Sequence, residues 1–177
     1  MIKPESNLTI VIPVNEKEEI VEQFIGFNKE YLKNYRVIVI NKSGGEALRE
    51  YADVYIQSSD PLHKARRAGI DLVLTPFALM LDADVILPVF YIKWALVIFA
   101  NSKDTGAVSI DYHRLQGHLA FGQSVWDTEV LKSLYDWRIV KETKICECVW
   151  MWGKLNRKTK LNLRTMTLTA GHLKEVD

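Results

Sequence analysis

Four short apolar runs rich in β-branched residues limit what this chain can become. They are Leu8-Thr9-Ile10-Val11-Ile12-Pro13-Val14, Arg36-Val37-Ile38-Val39-Ile40, Asp53-Val54-Tyr55-Ile56 and Phe77-Ala78-Leu79-Met80-Leu81. Each reads as a strand buried on both faces, because apolar residues run on without the alternation of a half-exposed strand. Helical patterns lie between them. Residues 18–32 place Ile20, Val21, Phe24, Phe27, Tyr31 and Leu32 near one face, with Lys17, Glu22 and Lys29 solvated. Asn15 stands where an N-cap would, with Glu18 as its capping-box partner. A short helix over 46–51 and a longer one over 62–74 complete the set. Strands joined by helices predict parallel β-α-β units and a sheet covered on both faces.

The second half is less regular. Strands are expected at 108–111, 119–125 and 161–169, and helices at 128–135 and 146–155. The fold class predicted is α/β, a single Rossmann-like domain with a mainly parallel central sheet flanked by helices and a small mixed C-terminal portion. The length of 177 residues fits one domain.

Composition removes several classes of function. With 48% hydrophobic residues the chain has enough apolar content to fold, and two cysteines cannot form a disulfide scaffold. A net charge of +1 argues against nucleic acid as the main partner. Residues 85–100 are the most apolar stretch but are shorter than the roughly 20 needed to span a bilayer, and Lys93 interrupts them. They read as a buried helix and not as a transmembrane segment. The first residues carry no signal-peptide pattern, so a cytoplasmic protein with reduced Cys146 and Cys148 is expected.

In open α/β sheets ligands bind outside the carboxyl ends of the strands. Polar residues gather there: Asn15 and Glu16 after the first strand, Asn41 and Ser43 after the second, Asp60 after the third, Asp82-Ala83-Asp84 after the fourth. At strand spacing Asp82 and Asp84 share one face, with Cα atoms roughly 7 Å apart if extended. Two such carboxylates repel unless a hard cation lies between them, and Mg²⁺ or Mn²⁺ prefers these oxygen ligands. The competing reading is an acidic turn that caps a helix starting near Pro88.

The first run with Asn15-Glu16, the segment Val37-Ile38-Val39-Ile40-Asn41-Lys42-Ser43-Gly44, the segment Lys64-Ala65-Arg66-Arg67-Ala68-Gly69-Ile70 and Leu79-Met80-Leu81-Asp82-Ala83-Asp84 occur in this order. Together they resemble the family 2 type of glycosyltransferase with a GT-A fold. Val125-Trp126-Asp127-Thr128-Glu129-Val130-Leu131 is similar to that family's acceptor-side segment. The resemblance implies a donor half (1–100) and an acceptor half (101–177). It places Pro13, Asn15 and Glu16 in a nucleotide pocket, and Asn41 at a base contact that is usually an aspartate. Arg66 matches the arginine of the family's Ala-Arg-Asn run. Asp82 would lie near the ribose and the metal, with Asp84 as direct metal ligand. His172 after Gly171 would be a third ligand. Lys64 and Arg67 are open to two readings, diphosphate contact or solvated helix residues.

The implied activity is inverting transfer of a sugar from a UDP- or GDP-sugar to a glycan, protein or lipid-linked acceptor, with Mn²⁺ or Mg²⁺ as cofactor. Glu147 best matches the general base, although Cys148 replaces the expected aspartate. Asp127 and Glu142 are the fallbacks. Trp150 or Trp152, flanking Glu147, would contact the acceptor, while Trp126 and Trp137 suit a core. His63, His113 and His118 are read as structural. The alternatives are a non-catalytic nucleotide-binding module and a sugar-phosphate nucleotidyltransferase. The latter would need a glycine-rich basic loop where the chain has Asn15-Glu16-Lys17-Glu18-Glu19.

Overall fold

The computed structural model describes residues 7–110, 121–136, 138, 147–166 and 171–172. Its elements in chain order are β1 (Leu8–Val14), α1 (Glu18–Asn34), β2 (Arg36–Asn41), a 3-10 turn (Glu46–Glu50), β3 (Val54–Gln57), α2 (Leu62–Asp71), β4 (Phe77–Leu81) and β5 (Val85–Ile86). There follow α3 (Tyr91–Asn101), β6 (Thr105–Ile110), β7 (Gln123–Asp127), α4 (Thr128–Leu134), α5 (Glu147–Lys158), β8 (Asn162–Met166) and β9 (Gly171–His172). The main sheet has the order β3-β2-β1-β4-β7-β6-β8. β3, β2, β1 and β4 are mutually parallel, and β7 runs antiparallel to both β4 and β6. The expected α/β architecture, parallel first and mixed later, is the observed one.

Alternation along β1 divides the interior into two layers. Leu8, Ile10, Ile12 and Val14 pack with Val21, Phe24 and Leu32 of α1 and Tyr91, Ile92 and Ala95 of α3. Val11 points the other way and joins Ile38, Ile40, Ala65, Ile70, Leu131, Met151 and Leu155 beneath α2, α4 and α5. Because both faces are covered, β1, β2 and β4 read as unbroken apolar runs, whereas β3 at the edge of the sheet is only half-buried and not covered as expected.

The strand order reverses between β1 and β4, since β2 and β3 lie to one side of β1 and β4 to the other. Such a switch point opens a crevice at the carboxyl ends of the strands. The β1–β4 ladder ends at Val11↔Met80, two residues short of Pro13. Pro13 has no N–H to offer a ladder.

Three local expectations are corrected. The N-cap of α1 is Lys17, without a side-chain cap, and not Asn15; Glu18 accepts instead from the Ala47 N–H at 3.2 Å. On α1, Phe27 is 63% exposed while Asn28 is fully buried, because the buried stripe runs through Phe24, Asn28 and Leu32 at four-residue spacing. Residues 85–100 do not form one buried helix. They make β5, a turn at Pro88 and α3, whose Trp94 and Val97 stay largely exposed.

Candidate active site at the carboxyl edge

Asp82, Ala83 and Asp84 form a tight turn, closed by the Val85 N–H donating to the Asp82 carbonyl at 3.2 Å, and are not extended. The helix-capping alternative fails: α3 begins at Tyr91 with Phe90 as N-cap, so Asp84 caps nothing there. Phe90 itself has a φ of 68°, a left-handed conformation uncommon outside glycine. Asn28 holds the short strand that follows the turn. Its amide donates to the Val85 carbonyl at 2.9 Å, and its carbonyl oxygen accepts from the Leu87 N–H at 3.0 Å, pinning β5 to α1. A polar residue inside the apolar stripe of α1 was the signal that would have found it.

Glu16 joins the two aspartates across the switch crevice. Burial pushes its carboxyl above the ordinary glutamate range, with the charges of Asp84 and then Asp82 adding to the rise, while the Asn15 N–H, donating at 2.7 Å, works against it. Three carboxyls, with Glu16 lifted partly by the charges of the two aspartates, form an edge that a cation would suit. Oxygen donors of this kind fit Mg²⁺ or Mn²⁺, which usually complete their shells with substrate phosphates and water. Among the described residues no group of three or more His, Cys, Asp or Glu forms a ready-made metal cage. The backbone of β9 sets His172 opposite Val85, next in sequence to Asp84, while its side chain lies outside the described part of the structure.

Arg66 ties this edge to the second half of the chain. On α2 and largely buried, it donates from Nη2 to Asp82 and from Nη1 to Glu147. Burial opposes its charge, but the carboxylates of Asp82 and then Glu147 outweigh burial and hold it protonated. Glu147 opens α5, where the helix dipole favours an acidic side chain. Its second oxygen accepts from the Tyr135 hydroxyl. Gly122 closes the pocket wall: a methyl on its Cα would fall inside the Asp82 carboxylate, and its carbonyl accepts from the Asp82 N–H at 2.8 Å.

The remaining expected residues divide clearly. Asn15 is exposed at the crevice mouth and Pro13 lies buried at the end of β1. Asn41 is 2% exposed and its amide donates to Tyr55 Oη at 2.7 Å and Gln57 Oε1 at 3.2 Å, and accepts from the Gly45 N–H at 3.1 Å. As it stands, it braces the loop after β2. Lys64 pairs with Asp60 at 2.8 Å on the surface. Arg67 pairs with Asp71 and donates to the Lys132 and Tyr135 carbonyls at 2.9 and 2.7 Å, so it caps the end of α4.

Asp127 is the N-cap of α4, accepting from the Val130 N–H at 3.0 Å. It pairs with Phe77 at the start of β4, the edge opposite Asp82, and is removed as a fallback base. Trp126 stacks on Trp152 at 4.9 Å in the core. Trp150 carries Lys154 over its ring at 4.0 Å. Glu142, Trp137, His113, His118 and Cys146 lie outside the described residues.

No family profile matches the chain, and no curated protein matches it either. Solved structures do. The fold is that of glucosyl-3-phosphoglycerate synthase from Mycobacterium tuberculosis, solved with Mn²⁺, UDP and phosphoglyceric acid. The likeness has a TM-score of 0.68 at 12% identity and covers 96% of this chain and 71% of that one. The same enzyme solved with Mn²⁺, UDP-glucose and glycerol 3-phosphate matches with a TM-score of 0.68 at 12% identity, over 96% of this chain and 73% of that one. Its complex with Mg²⁺ and UDP matches as well, with a TM-score of 0.68 at 12% identity over 96% and 72%. At this identity the likeness is one of fold: a single α/β domain of the GT-A kind.

Proposed function

We propose that this chain is a metal-dependent glycosyltransferase that moves a sugar from a nucleoside-diphosphate sugar to an acceptor hydroxyl with inversion. The observation that carries the reading is the acidic edge of Glu16, Asp82 and Asp84 at the β1–β4 switch point of a GT-A fold. Residues 1–100 serve as the donor half and 101–177 as the acceptor half. Asp84 and Asp82 would hold Mn²⁺ or Mg²⁺, with His172 as third ligand, and Pro13, Asn15, Glu16, Asn41 and Arg66 would line the nucleotide-sugar pocket. Bound there, the cation neutralises charge on the departing diphosphate.

The bond from the anomeric carbon to the diphosphate breaks as the bond to the acceptor oxygen forms, and Glu147 takes the hydroxyl proton. Each Glu147 oxygen keeps a further lone pair beyond its bond to Arg66 or Tyr135, so the carboxylate retains the capacity to accept. UDP- and GDP-sugars are the donor classes, and a glycan, protein or lipid-linked hydroxyl the acceptor. The M. tuberculosis enzyme of like fold makes UDP-glucose with glycerol 3-phosphate the first pair to try. Among the described residues no helix is long and apolar enough to cross a membrane. A cytoplasmic place of work completes the reading.

A second reading, a nucleotide-binding module without turnover, is favoured by the hydrogen bonds Asn41 already makes within the chain and the two paired oxygens of Glu147. Thermal shift with UDP or GDP and Mn²⁺ tests both readings, since a ligand of the folded state raises Tm by mass action. Absence of any shift sinks both. Binding without hydrolysis or transfer of any nucleotide sugar leaves the second.

A further inference from the structure

We infer that Tyr135 is a positioning residue for Glu147, holding its carboxylate in the direction from which it meets an acceptor hydroxyl. The inference rests on the glycosyltransferase reading. Tyr135 follows the last turn of α4 and is 2% exposed. Its hydroxyl donates toward Glu147 and lies 3.0 Å from the His63 carbonyl of α2. Its own carbonyl accepts from Arg67 at 2.7 Å, and its N–H donates to the Leu131 carbonyl at 2.9 Å. Its ring stacks on Phe121, at 5.6 Å and 16°.

Phe121 precedes Gly122, the residue pressed against the Asp82 carboxylate, and its N–H donates to Cys148 Sγ at 3.3 Å. One buried phenol therefore joins α2, α4, α5 and the turn before β7 around a single carboxylate. Burial first, and then the charge of Glu147, push its proton affinity up, so the hydroxyl remains a donor.

The geometry separates two jobs. Arg66 touches both Asp82 and Glu147, so changing it disturbs the donor and acceptor sides together. Tyr135 hydrogen-bonds the Glu147 carboxylate through its hydroxyl. Removing only its hydroxyl leaves the ion pair and frees the carboxylate to turn about the arginine. A carboxylate misplaced by about 1 Å can cost roughly 100-fold in rate.

The test is Tyr135→Phe in the full chain. With UDP-glucose as donor, kcat is expected to fall about 10- to 100-fold, with donor KM and UDP–Mn²⁺ affinity within about twofold. In a Glu147→Gln background the same change should cost nothing further, because coupling between two groups vanishes once one is gone. An unchanged kcat overturns the inference. So does an equal loss in both backgrounds, which a residue that only supports the fold would give.

If the wild-type protein transfers no sugar, the glycosyltransferase reading fails by itself. A crystal structure of Tyr135→Phe then still decides the positioning claim: a turned Glu147 carboxylate supports it and an unmoved one overturns it. Should that variant not fold, Phe121→Leu, which loosens the ring beneath the phenol and keeps the hydroxyl, is expected to lower kcat roughly a few-fold with KM unchanged. An unaltered kcat there overturns it too.

Discussion

The two sides of the Arg66 guanidinium are built on opposite plans. Toward the donor, Asp82 leaves 30% of its side chain open, next to Asp84 and Glu16 on loops at strand ends. Toward α5, Glu147 leaves 9% of its side chain open and has each oxygen paired. Carboxylates gathered on an open edge are a frustrated arrangement that a cation relieves. A buried carboxylate already paired has no such need, since breaking one partner away is what costs. Both sides share the Arg66 guanidinium, but the first leaves its carboxylates open to charge from outside, while the second has both oxygens of Glu147 paired from within.

The largest effect that would break this contrast is on the open side. Asp84→Asn should abolish metal-dependent nucleotide binding, weakening UDP–Mn²⁺ affinity by more than the 10- to 100-fold that loss of an outer partner costs. Titration calorimetry of UDP with and without Mn²⁺ reads it, and undiminished metal dependence would move the cation elsewhere.

The open side was also the legible side. Asp82 and Asp84 end an unbroken apolar strand, and strand ends at the carboxyl edge follow from the β-α-β pattern without tertiary knowledge. Arg66 and Glu147 are separated by 81 positions, and only the tertiary fold, with α2 and α5 each packed on α4, brings them together. Tyr135 and Asn28 carried weaker signals, since a tyrosine near a helix end and an asparagine on a helix are ordinary in any sequence. The mistaken helix over 85–100 shows the same limit. Apolarity cannot distinguish a two-residue strand followed by Pro88 from continuous helix when both are apolar. Asn41 was placed correctly at a strand end, but its buried hydrogen bonds to Tyr55, Gln57 and Gly45 depend on neighbours that no local pattern names.

A pair of glycines sharpens the contrast at intermediate size. Gly122→Ala pushes a methyl into the Asp82 carboxylate, and should destabilise the protein by about 1–3 kcal/mol while weakening UDP–Mn²⁺ binding. Gly26 lies within α1 with no atom in the way of a Cβ. There Gly→Ala should stabilise by about 0.5–1 kcal/mol and leave binding alone. Urea unfolding and calorimetry read both changes. If Gly122→Ala lowered stability with binding intact, the close approach to Asp82 would matter only for packing.

The smallest effect concerns a third carboxylate, paired in open water. Asp104 accepts from Ser102 Oγ at 2.5 Å, Arg164 Nη2 at 3.0 Å and Asn162 Nδ2 at 2.5 Å, tying the turn before β6 to β8. The Ser102 bond first, then Arg164 and Asn162, bring its pKa down to about 2. A carboxyl whose folded pKa lies below its unfolded value of about 3.9 contributes stability above that value. It loses the contribution as pH falls toward about 2. Exposed pairs are worth little, so the signature is the shape of the curve. Wild type should melt slightly above Asp104→Asn at pH 6, with the two Tm profiles converging as pH drops to about 2. Profiles that stayed parallel across that window would show that Asp104 is held by shape and not by charge. Asp104 would then lose its place as the exposed counterpart of the buried pair at Glu147.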